Sequence, residues 1–165
     1  MNTACIILPA EHIFRYNTAM IKVKTYEQLT KDELYRMLKA RQDVFVVEQN
    51  CPYPDIDETD LRSTFVILEE DDRHLASCRI FRKDSTTVQI GRMLTMVRSK
   101  GYGAQVLSQA VITAFETGAD TIYLEAQTYA TGFYAREGFT ITSDEFLEDG
   151  IPHVCMELHR ERAAS

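Results

Sequence analysis

The chain has 165 residues and a formal net charge of −7, and these two values already exclude several classes of protein. This length fits one domain with its own core and is too short for two domains of ordinary size. The acidic balance argues against a nucleic-acid partner, because binding to phosphate backbones is driven mainly by Lys and Arg. No apolar run approaches the roughly 20 residues of a membrane span, so we expect no membrane partner.

The four cysteines are scattered along the chain, with no CxxC pair and no histidine at zinc-ligand spacing. We therefore expect reduced thiols, a cytoplasmic location and no metal site. The segment before Met20 has a short apolar patch without a basic region ahead of it, which is unlike a signal peptide. We expect residues 1–19 to be an extension and residues 20–165 to form the single domain.

The first half of this domain is predicted as a strand, a helix and three more strands. A strand over 21–26 precedes a helix over 30–49, which opens with the capping-box residues Thr30 and Glu33. The segment NCPYPDIDETDL then predicts a long acidic loop. TFVILEE, HLASCRIFRK and TVQIGRMLTM read as strands, and the turn-forming residues between them favour an antiparallel meander.

The second half is predicted to contain two helices and three strands. The stretch RSKGYGAQVL leads into a helix with an apolar stripe, for which Gly118 is a suitable C-terminal residue. The strand TIYLEA, the short helix YATGFYARE and the strands FTITS and PHVCMEL follow, with DEFLEDGI as a polar loop. The order β-α-β-β-β-α-β-α-β-β predicts an α+β fold with a mixed, mostly antiparallel central sheet and helices on both faces.

The glycine loop between the fourth strand and the second long helix is a candidate phosphate site. A helix N-terminus carries about half a positive charge, and backbone N–H groups there point at one spot. Gly101 and Gly103 would accept positive φ and allow close approach of a ligand, while Arg98 and Lys100 would add ionic contacts. The loop matches neither a Walker loop nor a dinucleotide fingerprint, and a simple tight turn is the alternative.

The segment RSKGYGA resembles the Q/R-x-x-G-x-G/A signature of the GNAT acyltransferase superfamily, whose loop cradles the pyrophosphate of acetyl-CoA. VFVVEQNCPYPDID, IGR, AQ, FYAREGF and EDGIPH are similar to one branch of it, the ElaA-like proteins. The resemblance implies that the strand with Met93 pairs with the pantetheine arm and splays away from TIYLEA. The cofactor-binding residues implied are Met93, Leu94, Thr95, Arg98, Ser99, Lys100, Gly101, Tyr102, Gly103, Ala104, Gln127 and Phe133.

The resemblance also implies the reaction, which is direct transfer of an acetyl group from acetyl-CoA to an amine in a ternary complex. Tyr134 is the expected acid, because the tyrosine of this FY pair sits by the CoA sulfur in the family. Glu48 and His153 are both expected near the acceptor, and either is a candidate general base. A small-molecule or peptide amine is the expected partner, and a homodimer is a further expectation.

Several alternatives stay open at this point. The chain could be a CoA-binding regulatory module without catalysis, or it could act through a covalent acyl group on Cys51. Arg92 could bind an acidic ligand, pair with Glu48 or form another internal ion pair. The acidic run of residues 55–60 is expected to attract a cationic acceptor, with a solvated loop as the alternative.

Overall fold

The computed structural model describes residues 19–161, which build an eight-stranded sheet in the order β1-β2-β3-β4-β5-β8-β6, with β7 pairing to β8. The strands are β1 Met20–Thr25, β2 Thr64–Glu70, β3 Arg73–Arg82, β4 Thr87–Thr95, β5 Thr121–Gln127, β6 Thr140–Ile141, β7 Phe146–Glu148 and β8 Ile151–His159. The helices are α1 Lys31–Arg41, α2 Tyr102–Glu116 and α3 Thr131–Ala135. β4 and β5 run parallel, and the other strand pairs are antiparallel.

The helices cover opposite faces of the sheet, as the alternation of apolar residues along β2 shows. Val66 and Leu68 belong to the larger core beneath α2, whereas Phe65 and Ile67 pack with Met37 of α1. Successive side chains of a strand point to opposite faces, so a continuous apolar strand such as β2 must be covered on both sides. The predicted fold class is confirmed.

Local signals placed several of the element ends correctly. Thr30 Oγ1 accepts from the Glu33 amide at 3.1 Å, and Glu33 Oε2 accepts from the Thr30 amide at 3.0 Å, so the predicted capping box begins α1. α1 itself ends at Arg41, and the remainder of the predicted helix is π-helical over Gln42–Glu48. Gly118 follows α2 with φ of +84°, which is the left-handed conformation that favours glycine after a helix.

The segment after α3 differs from its prediction. DEFLEDGI was expected to be a loop, but it contains β7 and turns into β8 through Asp149 and Gly150, whose φ angles are +50° and +80°. The strand predicted over FTITS is reduced to the two residues of β6. Because an Asp-Gly pair with positive φ at both residues is a two-residue hairpin turn, this dipeptide could have predicted the extra strand.

Three cysteines of the described part of the chain, Cys51, Cys78 and Cys155, are free thiols. The predicted extension over 1–19 lies outside the described residues, apart from Ala19, and so does Cys5. Within residues 19–161 we find no helix that is both long and apolar enough to span a membrane.

Candidate active site

The sheet opens between β4 and β5, which are the only parallel neighbours among the strands of residues 19–161. Thr87–Gln89 pair with Thr121–Tyr123, but both strands continue beyond this ladder, β4 to Thr95 and β5 to Gln127. The strand edges past the ladder therefore face each other without pairing. We call this gap the sheet opening, bounded by residues 90–95 of β4 and 124–127 of β5; its presence agrees with the expected splaying.

The glycine loop lies between the end of β4 and the start of α2. Gly101 is the N-cap of α2 with φ of +75° and ψ of +4°, and Ser99 also has a positive φ of +60°. The first N–H groups of α2 have no intrahelical acceptors and point out of the helix end toward this loop. The expectation of positive φ is confirmed for Gly101. It is wrong for Gly103, which lies in the first turn of α2 and does not have a positive φ.

Gly103 instead lies where three elements meet, at ordinary van der Waals distances. A Cβ at this position would lie 3.5 Å from the Phe133 ring and 3.8 Å from the Met93 methyl group. Met93 comes from β4 and Phe133 from α3, so the start of α2 lies beside both of these elements. Three of the predicted cofactor-binding residues are thus brought together around one point.

Tyr134 lies next to this point, on α3. Its ring packs edge-on against Phe133 at 5.0 Å and against Phe139 at 6.2 Å between ring centroids. Burial raises the pKa of the Tyr134 hydroxyl above its usual value, so this group stays protonated through the physiological range. No side chain or backbone group of residues 19–161 forms a hydrogen bond with the hydroxyl, which leaves it available to a ligand.

Arg98, a predicted cofactor-binding residue, forms an ion pair with Glu48, a candidate base. Both side chains are largely exposed, with 70% and 50% of their surface accessible. The pair stands at a cleft of about 220 Å³ lined by Asp43, Val44, Glu48, Thr95, Met96 and Arg98. The cleft joins the end of the π-helical segment to the end of β4, whereas Lys100 and Ala104 are exposed nearby.

His153 is buried in β8, directly opposite Gln127 of β5. Its Nδ1 lies 2.8 Å from the Ile151 carbonyl oxygen, which can only accept, so Nδ1 carries the hydrogen. In the neutral ring Nε2 is then the free acceptor, and it lies 3.7 Å from Glu148 Oε2. Gln127 also contacts Gln49 through side-chain amides at 3.3 Å, which brings the segment after Glu48 against the end of β5.

In the acidic segment, residues 55–60, Glu58 is exposed, but the three aspartates are not the free carboxylates that were expected. Asp55 and Asp60 are only 6% and 4% exposed, and Arg41 binds both of them at 2.8 Å. Arg92 lies 2.8 Å from the other oxygen of Asp55, so this arginine forms an internal ion pair and does not contact Glu48. The expectation that these carboxylates attract a cationic acceptor is wrong, because buried charges are retained only with partners.

Asp57 belongs to the same network through Arg79. Arg79 Nη1 donates to Asp57 Oδ1 at 2.6 Å and to Asp60 Oδ1 at 2.9 Å. Burial alone would raise the pKa of Asp57, but the hydrogen bond from Arg79 and the charges of Arg79 and Arg92 lower it to about 2. Asp57 therefore carries its negative charge at any pH at which the protein would be assayed, and Arg79 and Arg92 balance this charge.

Sequence reasoning missed Arg41, Arg79 and a polar face of β5. Tyr123 Oη donates to Glu125 Oε1 at 2.9 Å and lies 3.0 Å from Cys155 Sγ, on the sheet face opposite the α2 core. Glu125 is exposed and is the first residue beyond the β4–β5 ladder on this face. The alternation of polar and apolar residues in TIYLEA was the signal that could have identified this face.

Cys51 is buried, and its Sγ contacts the carbonyl oxygen of Asp149 at 3.7 Å. None of the histidines within residues 19–161 forms a hydrogen bond with this thiol. The same part of the chain contains no group of three or more His, Cys, Asp or Glu residues arranged to hold a metal ion.

A mixed sheet that opens between two parallel strands, with a glycine loop and a helix N-terminus at the opening, defines the acyl-CoA N-acyltransferase fold. The chain belongs to the GNAT acetyltransferase family, whose domain matches residues 15–160.

Relatives and solved structures agree with this assignment. A UPF0039 protein of Schizosaccharomyces pombe is 39% identical over 82% of this chain and 93% of its own length. ElaA of Escherichia coli is 36% identical over 79% of this chain and 90% of its own length, and its crystal structure superposes with a TM-score of 0.80, covering 85% of this chain and 99% of that one. An acyl-CoA N-acyltransferase of Pseudomonas aeruginosa gives a TM-score of 0.79 at 34% identity, covering 85% and 99% of the two chains. The resemblance to the ElaA-like branch is confirmed.

Proposed function

We propose that this protein transfers an acetyl group from acetyl-CoA to a primary amine by direct attack in a ternary complex. The observation that carries the proposal is the convergence of Met93, Gly103 and Phe133 at the sheet opening, beside the unpartnered hydroxyl of Tyr134. Membership of the GNAT family supports an acyl-CoA donor. The chemistry that acetyl-CoA supplies is a thioester carbonyl, which is activated toward attack by an amine.

The described residues fit such a donor in two ways. The unpaired edge of β4 beyond Gln89 offers backbone groups to an extended arm with amide bonds, in the manner of an added strand. The N-terminus of α2 with Gly101 offers N–H groups and positive potential to a pyrophosphate. We assign Arg98, Ser99, Lys100, Tyr102 and Ala104 to the pyrophosphate end, and Met93, Leu94, Thr95, Gln127 and Phe133 to the arm.

Tyr134 is proposed as the acid that assists the departing thiolate. A hydroxyl that remains protonated can donate a hydrogen bond as negative charge develops on sulfur, and a group placed in this way contributes about 10²–10⁴ in rate. Its half-buried position excludes most of the water that would otherwise compete for this charge.

The acceptor must lose a proton before it attacks, because an alkylamine with a pKa near 10.4 is mostly protonated at pH 7 and its deprotonation costs roughly 4–5 kcal/mol. Glu48 and His153 are proposed as alternative bases. Nε2 of His153 can accept a proton, whereas the Glu48 carboxylate is paired with Arg98. The exposed Glu125 is a third carboxylate at the same opening and can attract a cationic amine to it.

The experiment that tests the proposal is release of CoA thiol from acetyl-CoA in the presence of a panel of polyamines, aminoglycosides, amino acids and lysine- or amine-terminated peptides. We expect release well above hydrolysis with at least one class of amine. Binding of acetyl-CoA without thiol release for any class would support a regulatory CoA-binding module instead. An acetylated protein detected by intact mass in the absence of amine, and lost in Cys51→Ala, would support the covalent route.

A further inference from the structure

β4 contains an irregularity that places one residue in a strained conformation. Arg79 pairs with Gly91 and Ser77 pairs with Leu94, so the single residue Cys78 of β3 faces two residues of β4. One of these two is Arg92, whose φ of +51° lies in the left-handed region. A non-glycine residue in this region costs roughly 1–2 kcal/mol and persists where the surroundings hold it. The irregularity is a β-bulge centred on Arg92.

The bulge changes which residues of β4 face the cofactor side of the sheet. Val88, Ile90 and Met93 all belong to the core beneath α2, a spacing of two residues followed by three. Regular alternation would instead have directed Arg92 into this apolar core and Met93 away from Gly103. The contact between Met93, Gly103 and Phe133 therefore depends on the bulge.

The side chain of Arg92 is anchored to the acidic segment. Its Nε lies 2.8 Å from Asp55 Oδ1, and its Nη2 donates to the Asp55 carbonyl oxygen at 3.2 Å. The guanidinium also lies 5.5 Å from the centroid of the Tyr53 ring. All these contacts require the side chain to point away from the α2 core, which is the direction that the bulge produces.

Asp55 is a rigid anchor because other residues fix it independently. Arg41 of α1 binds its carboxylate at 2.8 Å and its carbonyl oxygen at 2.7 Å, and the Tyr53 hydroxyl donates to Oδ1 at 2.8 Å. The aspartate is 6% exposed, so it has little access to water as an alternative partner for these donors.

We propose that Arg92 and Asp55 are positioning residues: their ion pair holds the β4 bulge, and the bulge turns Met93 toward Gly103 and so shapes the strand along which acyl-CoA binds. The activity readouts rest on the proposed function, but the effect on backbone conformation does not. The pair also links the acidic segment to β4, the strand along which we propose that acyl-CoA binds.

Three variants separate the backbone role from a charge role. Arg92→Ala removes the anchor and disfavours positive φ, whereas Arg92→Gly removes the anchor but adopts positive φ without cost. Asp55→Asn keeps the shape of the anchor and removes its charge. For each variant we would measure acetyl-CoA affinity by calorimetry and, without ligand, NMR contacts between the Met93 methyl group and the α-protons of Gly103.

We expect Arg92→Ala to lose the Met93–Gly103 contact and to bind acetyl-CoA about 10-fold or more weakly, whereas Arg92→Gly keeps the contact and binds within about 3-fold of wild type. Asp55→Asn should fall between them. A wild-type contact and affinity in Arg92→Ala, or in Asp55→Asn, would overturn the proposal. Losses in Arg92→Gly as large as those in Arg92→Ala would support the ion pair, and not the φ preference of residue 92, as what holds the bulge. If the wild type itself bound no acetyl-CoA, the proposed function would fail, while the NMR contacts would still decide whether the pair holds the bulge.

Discussion

The acidic segment (residues 55–60) and the glycine loop (residues 98–103) are both charged loops, but the structure uses their charges in opposite ways. Asp55 and Asp60 are buried against Arg41 and Arg79, whereas Arg98 is 70% exposed. The acidic segment pairs three of its four carboxylates, those of Asp55, Asp57 and Asp60, with arginines of the chain. The glycine loop leaves charge and backbone N–H groups accessible, which is the property that a ligand needs.

The largest expected effect comes from breaking the acidic network. Arg41→Met should lower the free energy of unfolding by about 3–5 kcal/mol, because it leaves Asp55 and Asp60 buried without their main partner. Lys39→Met is the matched control on the same helix: its pair with Asp43 is exposed, so we expect little change in the free energy of unfolding. Urea denaturation measures both. Equal losses would mean that the two ion pairs do not differ as described.

The next effect tests whether His153 or Glu48 removes the proton from the amine. Loss of the true base should lower kcat by about 100-fold and remove the acidic limb of the pH–rate profile. His153→Gln should do this if Nε2 is the base, and Glu48→Gln should then change kcat by less than about 10-fold. The opposite order would assign the role to Glu48, and small effects for both would exclude both residues.

A partly buried histidine, His74, makes the first half of the sheet sensitive to pH. Burial lowers the pKa of His74 to about 4, while its Nε2 lies 2.9 Å from Ser77 Oγ. In the unfolded chain the imidazole of His74 takes up a proton near pH 6.5, whereas in the folded chain it does so only near pH 4. The contribution of His74 to the free energy of unfolding is therefore fully present above pH 6.5 and is lost as the pH falls toward 4. We expect about 1–2 kcal/mol of this loss between pH 7.5 and 5, and His74→Asn should remove it. An unchanged pH slope in the variant would contradict the assignment.

A smaller, kinetic effect is expected at the sheet opening. Tyr134→Phe keeps the ring and its contacts with Phe133 and Phe139, so the KM for acetyl-CoA should change little while kcat falls about 10-fold. Tyr129→Phe is the control, because Tyr129 precedes the same helix and is 80% exposed. The measurement is steady-state kinetics under conditions in which the chemical step is shown to be rate-limiting. Equal kcat values for the two variants would rule out Tyr134 as the acid.

The smallest expected effect concerns the exposed charges of the glycine loop. Lys100→Gln should weaken acetyl-CoA binding by only about 2- to 5-fold, and the difference should shrink at high salt because exposed charges are screened. Lys31→Gln, at the start of α1, carries the same change in charge and should leave affinity unaltered. A salt-independent effect, or equal effects for both lysines, would argue against a direct contact at Lys100.

Much of the fold could be predicted because its signals are local. The capping box of Thr30 and Glu33, Gly118 after α2 and the Asp71–Asp72 turn between β2 and β3 each lie within a few residues of the element they end. The partners of the acidic segment could not be predicted in this way. Arg41 and Arg79 meet Asp60 from 19 residues away on either side, and only the packing of α1 against the sheet brings them together.

The candidate site shows the same division. Its glycine loop and FY pair were recognisable as a motif, but the positive φ belongs to Ser99 and Gly101, while Gly103 serves for contact with Phe133. The apolar alternation of β4 breaks at Arg92, but this break alone does not identify a bulge, because a bulge is defined by the pairing of two strands.

The central claim is that the sheet opening binds acetyl-CoA, and calorimetry on the wild type and Gly103→Val tests it most directly. The valine side chain would press on Phe133 and Met93 without disturbing the ion pairs of the acidic segment. The account predicts binding to the wild type with a Kd in the micromolar range and affinity at least about 10-fold weaker in the variant, with little change in Tm. No binding to the wild type at millimolar acetyl-CoA, or equal affinity in both proteins, would contradict it.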